Sequence, residues 1–260
     1  MQTITSRTNE RVKRVARLMG DADARREAGL CVALGLKLCL EALRLGAEID
    51  ELWLTSSALE RSGSECSELM CVSRESVMMS ESVSDKLSEQ RAPQGVLALV
   101  RLPECVGEYE LLTAPRAVAL CSVQDPANVG AALRTAAALG YHALLTSDCA
   151  DPFSPKSLRA SMGAAFAVPI TVFASGEEAV AALRGAGLTA LAATLAPGSE
   201  TLGKFTKPDR LAIVIGSEGR GLPAGVTGMC DKALTIPISD RVESLNAAAA
   251  AAVLMWELRS

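Results

Sequence analysis

Leu211-Ala212-Ile213-Val214-Ile215-Gly216-Ser217-Glu218-Gly219-Arg220-Gly221 is the stretch that decides the fold. Its five leading apolar residues show no polar alternation. That pattern reads as a strand covered on both faces, as in a parallel sheet flanked by helices. The three glycines that follow permit positive φ and close backbone approach to a ligand. In open parallel sheets, ligands bind beyond the carboxyl ends of the strands, which is where this turn falls. The turn is not Gly-x-Gly-x-x-Gly, no Lys-Ser/Thr follows as in a phosphate loop, and it is not the Gly-x-Ser-x-Gly of a hydrolase elbow.

The same β-α alternation extends to both sides. Strands are predicted over Ala117–Val123, Ala143–Thr146, Val168–Phe173, Leu188–Thr194 and Leu234–Pro237. Helices are predicted over Pro126–Leu139, Pro155–Ser161 and Glu177–Arg184, with a last one running to Leu258. Two more polar segments lie at strand-to-helix junctions. Asp125-Pro126-Ala127-Asn128-Val129-Gly130 opens a helix with Asp as N-cap and Pro at the first helical position. Val129, Leu133, Ala136 and Ala137 face its core side, while Asn128 and Arg134 stand about 120° apart on it. Ile236-Pro237-Ile238 ends a strand and leads to Glu243-Ser244-Leu245-Asn246 and the alanine run 247–252. Pro237 removes a ladder donor. Ser244 is the expected cap of the last helix, and Leu245, Ala248, Ala249 and Ala252 its expected core stripe.

Upstream, helices are expected over 8–19, Leu36–Leu45 and from Ser84. Strands are expected at Leu30–Leu34, Glu51–Thr55, Leu69–Ser73 and Gly95–Leu102. The alternation defines a small α/β domain over residues 1–102, a linker over 103–116 containing Pro103, Gly107 and Pro115, and a second domain over 117–260.

The chain has 260 residues, 49% of them hydrophobic and only 3% aromatic, so aliphatic side chains must fill the core. No apolar run approaches the roughly 20 residues of a spanning helix, and the N-terminus has no secretory-type apolar stretch. A soluble, cytoplasmic protein without membrane association is expected. Eight scattered cysteines, including Cys105, form no Cys-x-x-Cys and accompany a single histidine, so no metal site is expected. His142 has no nearby nucleophile and reads as a loop or packing residue. The net charge of −4 is unusual for a nucleic-acid binder. Yet residues 1–26 carry seven basic and three acidic side chains, a net +4, with Arg7, Arg11 and Lys13 at their head. That stretch can hold phosphates; a solvated helix face has the same composition. Lys156 and Arg159 share a helix face and pose the same choice.

In their order, the three motifs resemble the SpoU (TrmH-like) family of RNA ribose 2′-O-methyltransferases, within the SPOUT superfamily. Thr5-Ser6-Arg7-Thr8-Asn9-Glu10-Arg11-Val12-Lys13 and Ala92-Pro93-Gln94-Gly95-Val96 resemble segments of longer members, which carry a small ribosomal-protein-like RNA-binding domain. One departure is Leu34-Gly35, where relatives usually have Glu-Gly. The resemblance implies a parallel sheet with helices on both faces, a C-terminal trefoil knot and a homodimer. It implies S-adenosylmethionine held by backbone groups around Thr194, Gly216, Ile236 and Leu245. Asn128, Arg134, Glu218, Ser244 and Asn246 match the family's catalytic positions. The implied reaction is attack of a ribose 2′-hydroxyl on the sulfonium methyl, with structured ribosomal RNA favoured as substrate. A tRNA methyltransferase and a non-catalytic RNA-binding or ribosome-assembly protein are the alternatives. A nucleotide-binding oxidoreductase would need a glycine fingerprint after the first strand, and Ser122-Val123-Gln124-Asp125 is not one.

Overall fold

The computed structural model describes residues 3–88, 93–104 and 107–259; Ala92 and Cys105 lie outside the described residues. Two compact units emerge. One comprises Met1–Pro103 with Asp151–Ala167, the other Glu104–Ala150 with Val168–Ser260.

The first unit runs β1 (Thr3–Ile4), α1 (Glu10–Gly20), α2 (Ala22–Ala28), β2 (Leu30–Leu34), α3 (Leu36–Arg44), β3 (Ile49–Leu54), α4 (Ser56–Arg61), α5 (Gly63–Val72), β4 (Glu75–Met79), α6 (Glu81–Lys86) and β5 (Val96–Arg101). Its sheet has the order β1-β4-β3-β5-β2, with β5 antiparallel to both neighbours. Asn9 caps α1, and Val12, Val15 and Leu18 lie on the buried side of that helix, in one core with Trp53, Val77, Leu97 and Leu99. A second short helix follows at once, because Asp21 accepts from Asp23 and Ala24 and restarts the chain as α2. The strand expected over Leu69–Ser73 is instead the end of helix α5, whose buried Cys66 and Leu69 are three residues apart, a helical spacing; the strand itself is Glu75–Met79.

The chain continues with β6 (Arg116–Leu120), α7 (Pro126–Leu139), β7 (His142–Thr146) and α8 (Pro155–Ser161). A division at 102 and 117 assigns α8 to the second unit, whereas its contacts, including those to β2, group it with the first. Then come β8 (Ile170–Phe173), α9 (Gly176–Gly185), β9 (Thr189–Ala193), β10 (Glu200–Thr201), β11 (Leu211–Ile215), α10 (Ala224–Met229), β12 (Lys232–Thr235) and α11 (Ala247–Glu257). All pairs in the seven-stranded sheet β10-β12-β9-β11-β6-β7-β8 are parallel. Ala117, Ala119, Ala212 and Val214 meet the buried side of α9 and α10. Because side chains alternate across a strand, Val118, Leu120, Ile213 and Ile215 face the opposite side, where α11 packs on α7 and β11.

Asn246, not Ser244, caps α11: its Oδ1 accepts from the N–H groups of Ala248 and Ala249. The buried side chains of α11 are therefore Ala247, Ala251, Leu254 and Met255 in place of the expected stripe. A run of identical alanines has no apolar period from which to choose a face. Arg116 Nε donates to the carbonyl of Leu258, and the buried Tyr141 hydroxyl donates to that of Met255, so the far end of α11 is tied to the sheet.

In the first unit Arg25 is only 3% exposed. Its guanidinium meets Asp151 at 2.6 Å and donates to the carbonyl of Leu18 at 2.6 Å. Asp151→Ala leaves that charge buried without its counter-ion. We expect a loss of about 3–5 kcal/mol in urea unfolding. Asp23→Ala, which breaks the exposed pair with Arg26, should cost less than about 1 kcal/mol.

Candidate active site

The C-terminal ends of β12, β9 and β11, adjacent in the sheet, open into a cavity of about 390 Å³. Thr194, Gly216, Ile236 and Leu245 all line it, as do Glu218 and Ser244. Its walls also include Leu195, Leu222, Ile238, Ala250 and Leu254, which sequence reasoning missed. Ala250 and Leu254 are four apart on α11, a spacing that the surrounding alanines conceal.

Gly216 is fixed by crowding. A Cβ built there would lie 2.2 Å from the carbonyl carbon of Gly221 and 2.4 Å from the nitrogen of Leu222. The loop doubles back on itself, with Gly221 N–H donating to the carbonyl of Ser217 at 2.9 Å and Gly221 at φ +63°. Also on the lining, Ile236 and Leu245 make no backbone hydrogen bond among the described residues. The cavity thus combines apolar walls with open peptide groups, the usual composition of a small-molecule site.

A chain of side-chain amides crosses from helix to loop. Asn246 Nδ2 donates to Asn128 Oδ1 at 2.9 Å, and Asn128 Nδ2 donates to Glu218 Oε1. Four of the five expected catalytic residues therefore lie on the cavity lining or are hydrogen-bonded to it. Arg134 does not join them. It is exposed, on another face of α7, with no hydrogen-bond or ion-pair partner among the described residues.

The expected phosphate contacts separate in a similar way. Arg11 is drawn into the protein: it meets Glu51 and Glu75 at 2.7 Å each and lies over the Trp53 ring, and its pKa is raised, with the Glu75 hydrogen bond the largest cause. The buried Glu51 also accepts from Arg14 and from Trp53 Nε1. Lys13 pairs with Glu10 at the surface. Among the described residues Arg7 donates to a neutral partner, the carbonyl of Ser82. Lys156 and Arg159 are exposed on α8.

His142 is buried in β7 beside Thr171 Oγ1 at 3.0 Å, and burial lowers its pKa. It is a packing residue. Burial pushes the Cys121 thiol up to about 12 and raises Cys149, so neither is a ready nucleophile.

Residues 115–256 match the SpoU rRNA Methylase family, and residues 9–98 match the MRM3-like substrate binding domain. An uncharacterized tRNA/rRNA methyltransferase of Synechocystis sp. is 32% identical, covering 99% of this chain and 93% of its own. The 23S rRNA (guanosine(2553)-2′-O)-methyltransferase RlmP of Bacillus subtilis is 33% identical, covering 70% of this chain and 71% of its own. The crystal structure of the SpoU methyltransferase AviRb from Streptomyces viridochromogenes, in complex with the cofactor AdoMet, superposes with a TM-score of 0.85 at 26% identity, covering 96% of this chain and 97% of its own.

Gly216→Ala must displace backbone, not a pliable side chain. It should cost about 1–3 kcal/mol in urea unfolding. Gly219→Ala, where nothing lies within 4 Å, should stay within about 0.5 kcal/mol of wild type.

Proposed function

The chain belongs to the SpoU rRNA methylase family, and from that premise we propose that it transfers a methyl group from S-adenosylmethionine to a ribose 2′-hydroxyl of ribosomal RNA. The observation that carries this reading is the Asn246–Asn128–Glu218 chain joined to the lining of the strand-end cavity. The residues present fit the cofactor: Gly216 allows close approach, and Ile236 and Leu245 offer open peptide groups opposite apolar walls. Thr194, Gly216, Ile236 and Leu245 would hold it. When bound, S-adenosylmethionine supplies a methyl group on a sulfonium whose thioether is a good leaving group.

The protein's own task is then to place one hydroxyl and help remove its proton. Asn128 spends its amide hydrogen on Glu218 and its oxygen on Asn246, which fixes the orientation of all three groups. Glu218 keeps a second carboxylate oxygen, and Ser244 Oγ has no partner among the described residues. These two oxygens are suited to accept and orient a ribose hydroxyl. The Arg134 guanidinium offers hydrogen-bond donors and no acceptor. It serves by holding an adjacent phosphate and stabilising the developing alkoxide. Its divergence from Asn128 on α7 supports action across a homodimer, completing the site of the partner subunit. The first unit docks the RNA, with Arg7, Lys13, Lys156 and Arg159 as phosphate contacts and Arg11 as an internal brace. Among the described residues no helix is long and apolar enough to cross a membrane; we place the reaction in the cytoplasm.

Transfer of labelled methyl from S-adenosylmethionine to unmodified ribosomal RNA, followed by alkaline digestion, tests the reading. Label in an alkali-resistant dinucleotide is expected. Label only in tRNA would change the substrate, and no label together with no cofactor binding would overturn the activity. Arg134→Ala should lower turnover about 10²–10³-fold with cofactor affinity in calorimetry nearly unchanged. Wild-type turnover in that variant would remove Arg134 from the site.

A further inference from the structure

Ser122 has φ +57°, in the left-handed region that side chains other than glycine rarely adopt. It follows the end of β6 by two residues and stands three before Asp125, the cap of α7. Such an outlier persists only where its surroundings over-determine it. Here they do. Ser122 N–H donates to Thr146 Oγ1 at 2.9 Å, and Ser122 Oγ donates to Asp148 Oδ2 at 2.6 Å. Thr146 Oγ1 donates to the other Asp148 oxygen. Next along the chain, Val123 N–H donates to Cys149 Sγ at 3.3 Å, and its carbonyl accepts from Ala150 N–H at 2.9 Å. The turn after β7 thus grips the two residues that lead into the Asp125-Pro126 start of α7. One carboxylate receives both hydroxyls of the grip. Those two bonds hold the Asp148 carboxyl below its ordinary range, so it stays ionised at neutral pH.

We infer that Asp148 is a positioning residue for methyl transfer, holding Ser122-Val123 in the conformation from which Asn128 reaches Glu218 and Asn246. The inference rests on the methyltransferase reading above for its catalytic consequence. Asp148 does not line the cavity. It acts through Ser122. Without the carboxylate, both hydroxyls lose their acceptor while Ser122 remains in a strained conformation. The segment then relaxes, and Asn128 leaves its place between Glu218 and Asn246. The cofactor walls are built from β9, β11, β12, α11 and the loops beside them, and Ser122, Val123 and Asn128 are not among their residues.

The test is Asp148→Ala in the full-length chain, assayed with S-adenosylmethionine and unmodified ribosomal RNA. Turnover should fall about 10–100-fold, the scale of a misplaced reacting group. Cofactor affinity by calorimetry should stay within about twofold, since the cavity walls are intact. Adding Ser122→Gly to Asp148→Ala removes the strain and should restore much of the lost turnover. Asp148→Asn, which keeps one acceptor, should fall between wild type and Asp148→Ala. Unchanged turnover in Asp148→Ala would overturn the inference. So would an equal loss of cofactor affinity, or failure of Ser122→Gly to rescue. Hydrogen exchange supplies a readout independent of activity: the amides of Val123 and Asn128 should exchange faster in Asp148→Ala. If wild type transfers no methyl group while these amides respond as expected, the methyltransferase reading fails and the clamp stands. Unaltered exchange sinks the clamp itself.

Discussion

A strand buried on both faces leaves a ligand only its ends. β9, β11 and β6 are adjacent and flanked by strands on either side, and Leu191, Ile213, Val214 and Val118 are essentially inaccessible. Neither face has room for polar chemistry, so it is displaced to the carboxyl edge, where parallel strands bring their loops together. The sites of Asn128, Glu218 and Asn246 follow from that displacement. They are distant in sequence and adjacent because β6, β11 and β12 point the same way. Among the described residues every side-chain polar atom buried from solvent has a hydrogen-bond partner. The peptides of Ile236 and Leu245 are left open among the described residues, at the edge where a ligand can meet them.

Six of the seven strands of this sheet were legible because short apolar runs have few other readings; β10, two polar residues, carries no such run. Leu211–Ile215 and Pro126–Leu139 were bounded correctly, the first by its glycine turn and the second by Asp125, Pro126 and Gly140. The Gly216 turn was legible from its strand and glycines, but Thr194, Ile236 and Leu245 were legible as cavity residues only through the resemblance, since no spacing connects Thr194 with Leu245. What escaped had no local signal. The alanine run hides which face of α11 is buried. Ser244 and Asn246 are both good caps, and choosing between them requires knowing where Asn128 lies. The left-handed Ser122 looks like any serine, because its partners Thr146 and Asp148 come from another strand end.

Charge counted along the sequence leaves a choice that only the fold narrows. The N-terminal basic stretch has the composition of a phosphate-binding surface, yet several of its cations have protein partners. Arg25 is buried against Asp151, and Arg11 and Arg14 converge on the buried Glu51, which also takes the indole hydrogen of Trp53. A buried carboxylate requires such company, since leaving one unpaired costs several kcal/mol or neutralises it. The acids that answer these bases lie some 37 to 126 residues away, beyond any window in which charge is counted.

Asn246 shows how tightly site and fold share their parts. Its Oδ1 satisfies two orphan N–H groups at the start of α11, while its Nδ2 donates to Asn128. An aspartate would cap the helix equally well but has no hydrogen to donate, and it would set a second carboxylate close to Glu218. A serine would cap but is shorter and carries a single hydroxyl, and an alanine does neither. Only an amide at this chain length accepts on one side and donates on the other. The residue that starts the last helix is therefore also the one that sets the orientation of Asn128, and through it the bond to Glu218.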